Sequence, residues 1–168
     1  MRALEPKTVL GVDPGLGVTG YGVLVPGPKG LRVLDAGTLR TDPKSPLSHR
    51  LAELYDGLSE VLSEFVPSLM GIEEVYSHYK HPATAIVMAH ARGVLCLAAR
   101  HAETSVLAVP ATRIKKVITG SGRASKEQVR DMVRDILGIS QPVSPLDVSD
   151  ALAAAIAAFE TVKRDRQR

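Results

Sequence analysis

The sequence predicts one α/β domain over residues 1–160, built on a mixed sheet of five strands, three antiparallel and then two parallel, with helices on both faces. Three strand-like runs, at 8–13, 18–25 and 31–40, come first. The turns between them are too short for anything but antiparallel neighbours. Helical and strand-like patterns then alternate, and such units extend the sheet and cover its faces with helices.

The remaining elements follow from residue spacing and from helix start signals. In chain order they are a helix at 47–65, a strand at 69–74, a helix at 83–101, a strand at 105–109, a helix at 111–118, a helix from the cap Ser125 to Gly138, and a last helix capped by Ser144. Ser125 and Gln128 have the spacing of a capping box. The helix at 83–101 has no polar side, so the core and a second subunit could cover it together.

Composition bounds the class of protein. The chain has 168 residues, of which 45% are hydrophobic and 23% charged, as is ordinary for a soluble globular domain. No run of about 18 apolar residues is free of charge, and the N-terminus is too short and polar for a signal peptide. Cys96 is the single cysteine, so no disulfide forms within the chain. We therefore expect a cytoplasmic protein with no membrane partner.

Charge is unevenly distributed along the chain, although the net charge is only +3. Residues 110–134 are strongly basic, and residues 161–168 form a basic tail that we expect to be disordered. The rest of the chain is acidic. A basic stripe beside an acidic pocket suggests a polyanionic substrate, held by one region and processed by the other. A solvated helix face with a free tail is the alternative.

Four carboxylates stand where apolar sequence leaves them little access to water: Asp13, Glu73, Asp147 and Asp150. Asp13 ends the first strand, on the same face as Val9 and Gly11. Glu73 and Glu74 end the fourth strand and point to opposite faces, so the residues alone do not choose between them. A buried carboxylate is normally protonated, paired with a base or bound to a cation.

The last helix begins with two of these acids. Stabilisation by the helix dipole could explain Asp147. Asp150 lies three residues later on the same side, where like charges repel and no basic residue follows. Two acids at a helix start, aimed at a strand-end acid, would suit Mg²⁺, which prefers oxygen ligands.

Further candidates are basic or aromatic. Lys115, Lys116, Arg123 and Lys126 flank a Gly-Ser-Gly loop, and Lys126 begins a helix, where free N–H groups favour phosphate. Ordinary surface lysines are the alternative. Tyr76 could stack on an unpaired base or plug the core. The five histidines lack zinc-site spacing, so we assign them no role.

These motifs together resemble the RuvC family of bacterial Holliday-junction resolvases, crossover junction endodeoxyribonucleases of the ribonuclease H-like superfamily. The similarity runs from about Val9 to Phe159. It is carried by Leu10-Gly11-Val12-Asp13-Pro14-Gly15, Val18-Thr19-Gly20-Tyr21-Gly22, Ile72-Glu73-Glu74-Val75-Tyr76, Ala91-Arg92-Gly93, Arg113-Ile114-Lys115-Lys116, Thr119-Gly120-Ser121-Gly122 and Asp147-Val148-Ser149-Asp150-Ala151-Leu152-Ala153.

The resemblance implies a ribonuclease H-like fold and selects Glu73 over Glu74. It makes Asp13, Glu73, Asp147 and Asp150 the catalytic acids and the ligands of two Mg²⁺ ions, with Mn²⁺ as a substitute. It places Lys115 and Lys126 against DNA backbone, and Tyr76 where the family often has a phenylalanine that stacks at the opened junction.

The same resemblance implies partners. It predicts a homodimer that makes paired, symmetric cuts in a four-way DNA junction during recombination and repair. It also suggests an association with a branch-migration motor of the RuvA–RuvB type. The location that it implies is the bacterial cytoplasm, at the nucleoid. Rival functions are a related nuclease acting on RNA, a non-catalytic junction-binding module and an actin-like ATPase, which would need two lobes.

Overall fold

A computed structural model describes residues 7–74, 82–141 and 143–167. The described elements closely follow the predicted order. In chain order they are β1 (Val9–Asp13), β2 (Val18–Gly27), β3 (Gly30–Arg40), α1 (Leu47–Phe65), β4 (Leu69–Glu73), α2 (Pro82–His101), β5 (Ser105–Val109), α3 (Ala111–Thr119), α4 (Lys126–Leu137) and α5 (Leu146–Arg166).

The five strands form one sheet in the order β3-β2-β1-β4-β5. Strands β1, β2 and β3 pair antiparallel, while β4 is parallel to both β1 and β5. The predicted mixed sheet is therefore confirmed. Strand β2 extends two residues beyond its predicted end, because Gly27 and Gly30 continue the pairing into the hairpin turn. Gly30 has φ of 126°, a conformation that favours glycine.

Alternating residues of the strands contribute to two separate cores. On one face, α5 packs against Val9, Leu24 and Leu69, with α3 and α4 around it. On the other face, α1 and α2 pack against residues such as Leu10 and Met70. Helices therefore lie on both faces of the sheet, as predicted.

A row of glycines brings α5 unusually close to the sheet. Gly11 is the cross-strand partner of both Gly22 and Gly71, so the three glycines cross the sheet side by side. A methyl group at Gly71 would lie 2.6 Å from the Ala154 carbonyl oxygen, and one at Gly11 would lie 2.6 Å from the Ala155 nitrogen. The backbone of α5 therefore rests on bare strand backbone at Gly11 and Gly71, while the Leu152 side chain packs on Gly22.

Both ends of α5 differ from the prediction. The helix starts at Leu146, with Pro145 at the N-cap position and no side-chain cap, so Ser144 as the cap was wrong. The helix also continues to Arg166, through most of the tail that we expected to be disordered. The Lys163 ammonium lies 5.9 Å from the centroid of the Phe159 ring, and basic residues in a last turn favour the helix dipole. The capping box of Ser125 and Gln128 at the start of α4 is confirmed.

Helix α2 is apolar on its outer side as well as its inner side. Its inner side contributes Ala91, Leu95 and Ala99 to the core, while Ile86 and Leu97 are exposed. By length and composition α2 could cross a membrane, with a mean hydropathy of 1.4, and 22% of that window is buried in the fold. Core helices of globular proteins meet the same criterion. Arg92 in the middle of the helix accounts for the predicted lack of a charge-free apolar run.

Candidate active site

The carboxyl ends of β1 and β4 bring Asp13 and Glu73 side by side. The two strands pair in parallel up to Val12 and Ile72, and each acid is the next residue. Gly11 and Gly71, two residues earlier, both face α5. Because side chains alternate along a strand, Asp13 and Glu73 share the α5 face. Strand geometry therefore distinguishes Glu73 from Glu74, which follows the end of β4.

The first turn of α5 adds the other two acids. Gly20 is the cross-strand partner of Asp13. A methyl group at Gly20 would collide with the Asp147 carbonyl and lie 3.0 Å from the Asp147 Cβ, so this residue rests on the strand next to Asp13. Asp150 heads the helix ridge that continues through Ala154 and Ala158 over Gly71.

The structure brings all four acids to one cavity of about 280 Å³. Its lining also includes Glu74, Met88, Lys126, the turn residues Pro14 and Gly15, and Val18 at the start of β2. The four acids are half-buried. They come from three chain segments that are far apart in sequence, and this convergence was the main structural expectation from the sequence.

Burial and repulsion by neighbouring charges raise the pKa of two of these carboxylates, Asp13 and Glu73. The pKa of Asp13 is raised to about 7, first by burial and then by the charges of Asp150, Glu73 and Asp147, with Lys126 opposing them. The pKa of Glu73 is also raised, by burial and by Asp150, against Lys126 and Lys115. Such a cluster favours protons or added positive charge, which is the electrostatic property of a cation site.

Two of the predicted lysines lie at the acids. The Lys126 Nζ at the start of α4 lies 3.6 Å from Asp150 Oδ2. Lys115 lines an adjoining cavity of about 220 Å³ together with Glu73, Lys126 and Asp150. Sequence analysis recognised no base for the acids because it considered only neighbours along the chain.

The other predicted binding residues are not at the acids. Arg123 is exposed and lines a different cavity with Thr119, Ser121 and Gln128. Lys116 is exposed on α3 and lines neither of the two acidic cavities. Tyr76 lies outside the described residues.

Sequence analysis missed two sets of residues that hold the site in place. Arg92 Nε of α2 donates a hydrogen bond to the Glu73 carbonyl at 3.2 Å, at the end of β4. Thr19 fixes the turn after Asp13, because its Oγ1 donates to the Gly15 carbonyl at 2.7 Å and accepts from the Gly15 N–H at 3.2 Å. Arg92 lay within a recognised motif, but nothing local indicated its contact with Glu73.

The donor set fits a hard divalent cation. All four acids offer oxygen ligands, which Mg²⁺ and Mn²⁺ accept readily. In the arrangement of the described residues, however, no three His, Cys, Asp or Glu side chains are grouped closely enough to hold an ion. Asp150 lies 3.6 Å from the Lys126 ammonium instead. The acids share a cavity without forming a closed cage.

Comparison with known proteins identifies relatives of this chain. The family model described as "Crossover junction endodeoxyribonuclease RuvC" matches residues 9–158. Among curated proteins of that name, the one from Rhodopirellula baltica is 43% identical over 156 residues, covering 92% of this chain and 87% of the relative. The one from Alkaliphilus metalliredigens is 38% identical over 148 residues, covering 88% and 90%.

Solved structures agree. Thermus thermophilus RuvC in complex with Holliday junction substrate superimposes with a TM-score of 0.87 at 33% identity, covering 94% of this chain and 96% of that one. The yeast mitochondrial Holliday junction resolvase Ydc2 shares the fold at 14% identity, with a TM-score of 0.66. These matches confirm the resemblance and the ribonuclease H-like fold class that it implied.

Proposed function

The chain belongs to the crossover junction endodeoxyribonuclease RuvC family, and from this membership and the acid cavity we propose that it resolves four-way DNA junctions. It acts as a structure-selective endonuclease that hydrolyses phosphodiester bonds in pairs during recombination and repair. The observation that carries the proposal is the convergence of Asp13, Glu73, Asp147 and Asp150 on one cavity beside two lysines.

The acids hold divalent cations in this proposal. Asp13, Glu73, Asp147 and Asp150 would hold two Mg²⁺ ions, with Mn²⁺ as a substitute, and Asp13 would serve both. Bound divalent cations polarise a phosphodiester and lower the pKa of an attacking water. The chain itself supplies four carboxylates, and Thr19 and Arg92 fix the strand ends that carry two of them.

The lysines hold the DNA backbone. Lys115 and Lys126 bind phosphates next to the acids, while Lys116 and Arg123 extend the basic surface away from the cavity. Tyr76 stacks on a base at the opened junction. Recognition then depends on phosphate positions and junction shape, with a strong dependence on salt concentration.

A homodimer completes the proposal. Two copies that pack through the exposed apolar side of α2, which includes Ile86, Val87 and Leu97, would cover a surface that the single chain leaves open. A two-fold axis would then present two equivalent sites to one four-way junction. We further propose a bacterial cytoplasmic location at the nucleoid and association with a branch-migration motor of the RuvA–RuvB type.

The test is nicking of a synthetic four-way junction with Mg²⁺ and with a chelator. Asp13→Asn should reduce nicking by at least about a thousandfold, because its carboxylate acts on the reacting centre. Junction binding should persist or tighten, since a negative charge facing phosphates is removed. Wild-type nicking by Asp13→Asn would disprove the assignment.

Three further variants examine the choice of acid and the DNA contacts. Glu73→Gln should abolish nicking, whereas Glu74→Gln, one residue beyond the strand, should leave it nearly unchanged. Replacing both Lys115 and Lys126 by alanine should weaken junction binding and reduce the slope of log affinity against log salt by about 2.

Two alternative functions give different results in the same assay. A ribonuclease H-like enzyme directed at RNA would cut an RNA-containing substrate faster than junction DNA. A non-catalytic binding module would bind the junction but show no nicking that depends on a divalent cation.

A further inference from the structure

The Lys126 ammonium extends into the acid cavity. Its Nζ lies 3.6 Å from Asp150 Oδ2, and the charges of Asp13 and Glu73 attract it as well. Lys126 lines both the acid cavity and the adjoining cavity beside Lys115. A positive charge therefore already stands among three of the proposed metal ligands.

The backbone of Lys126 is held in place by α4, whereas its side chain is largely exposed. Lys126 is the first residue of α4, directly after the N-cap Ser125 and inside the capping box that Ser125 forms with Gln128. Val129 and Val133 of the same helix are buried in the core that contains α5. The Lys126 side chain is nevertheless 78% exposed, against 34% for Asp150. Its backbone is thus fixed relative to the acids, while its side chain can swing out of the cavity.

Lys115 gives a natural comparison. It has the same charge and lines the adjoining cavity, and its charge opposes the rise in the pKa of Glu73. Among the described residues, however, Lys126 forms an ion pair with one of the four acids and Lys115 forms none. The two lysines therefore differ in contact with the acids and not in charge.

We propose that Lys126 is a tethered counter-cation that occupies the acid cavity before metal binds and competes with the divalent cation for the Asp150 carboxylate. This inference rests on the proposed function, in which Asp150 is a metal ligand. Asp150 cannot keep its contact with the ammonium while it coordinates a cation from the same side. Metal binding therefore displaces the ammonium, which then becomes free for a DNA phosphate.

The displacement couples two binding events. Because the metal releases the lysine, metal binding favours phosphate binding, and phosphate binding must favour metal binding by the same factor. The lysine also limits the charge repulsion among the acids in the metal-free protein. The fold thus offsets part of the negative charge of the acid cavity without an ion.

The experiment measures Mn²⁺ binding to metal-free protein by calorimetry, without DNA. Lys126→Gln should raise Mn²⁺ affinity about tenfold, because a competing contact at short range is removed. Lys115→Gln removes the same charge from the neighbouring wall and should raise affinity less than about threefold, by an amount that salt screens out. Lys126→Arg keeps a charge and should restore affinity close to the wild-type value.

Equal effects of Lys126→Gln and Lys115→Gln would overturn the inference, since they would show only general electrostatics. An unchanged or weaker Mn²⁺ affinity of Lys126→Gln would also overturn it, as would no binding by either wild type or this variant. If Asp150→Asn bound Mn²⁺ as wild type does, the proposed metal site itself would fail.

Thermal unfolding gives a second measurement that does not depend on activity. In chelator, Lys126→Gln should unfold at a lower temperature than Lys115→Gln, because the acids lose their counter-charge. Mn²⁺ should remove that difference. Identical unfolding temperatures of the two variants in chelator would contradict a counter-cation role for Lys126.

Discussion

The two faces of the sheet are packed in different ways. Against α1 and α2 the sheet presents large side chains, among them Leu10, Val12, Met70 and Ile72. Against α5 it presents the glycine row of Gly22, Gly11 and Gly71, which meets a helix rich in alanine. One face is filled by side chains throughout, and the other adds to its side-chain packing a close backbone contact at Gly11 and Gly71.

Because of this difference, one face of the sheet mainly contributes stability, while the other mainly fixes the position of a helix. Large side chains can repack when one of them changes, so a helix that rests on them has some freedom. A helix whose middle rests on Gly11 and Gly71 has much less freedom, because a single added methyl group there meets main-chain atoms. Helix α5 is also the element that carries Asp147 and Asp150 to Asp13 and Glu73. The face of the sheet that packs against α5, called the close face below, therefore determines the geometry of the acid cavity.

The largest effect is expected from Gly71→Ala. Its methyl group would lie 2.6 Å from both the Ala154 carbonyl oxygen and the Ala158 Cβ, so α5 must move away from β4. We expect a loss of about 3 kcal/mol in the free energy of unfolding, at the upper end for overpacking, with loss of nicking. Urea unfolding and the junction assay measure both. Wild-type stability would show that α5 is not held by this contact.

Gly20→Ala should reduce activity more than stability. The added methyl group collides with the first turn of α5 at Asp147, where the helix begins and can shift locally. A displacement of about 1 Å in a reacting group can cost about a hundredfold in rate, so nicking should fall by that order. Thermal unfolding should fall by only a few degrees. If Gly20→Ala unfolded at a much lower temperature but cut the junction at the wild-type rate, the close face would contribute stability and not the position of the acids.

The raised pKa of Asp13 should make the stability of the protein depend on pH. Because the pKa of Asp13 is raised to about 7 in the folded protein, the native state binds more protons than the unfolded chain from about pH 4 to about pH 7. In chelator, stability should therefore fall as pH rises through that window. Asp13→Asn should flatten the fall when unfolding temperatures are measured across it. An equal slope in both proteins would assign the effect to other groups.

The smallest effect is expected from Ile72→Val, next to Gly71 on the opposite face. Removing one methyl group from the side-chain-filled core should cost about 0.5–1.5 kcal/mol of unfolding free energy. The acid cavity should keep its geometry, so nicking should stay close to the wild-type rate although Glu73 is the next residue. A loss of nicking as large as that of Gly71→Ala would remove the distinction between the faces.

Local patterns were informative wherever neighbours in sequence decide the structure. The capping box at Ser125 and the alternation that places Asp13 with Val9 and Gly11 both depend on residues within a few positions. The cap at Ser144 was wrong because a serine followed by proline fits more than one helix start. The tail was wrong over 161–166 because α5 continues as a helix through its basic last turn.

Residue patterns were enough to predict the order of elements, the face on which Asp13 lies and, through the motifs, the family. The folded chain was needed to see that α5 rests on the glycine row, that Arg92 holds the end of β4, and that Lys126 reaches Asp150. The physical reason is range. Hydrogen bonding and side-chain alternation act between near neighbours and leave a pattern in the sequence, whereas contacts between distant segments depend on how whole elements pack.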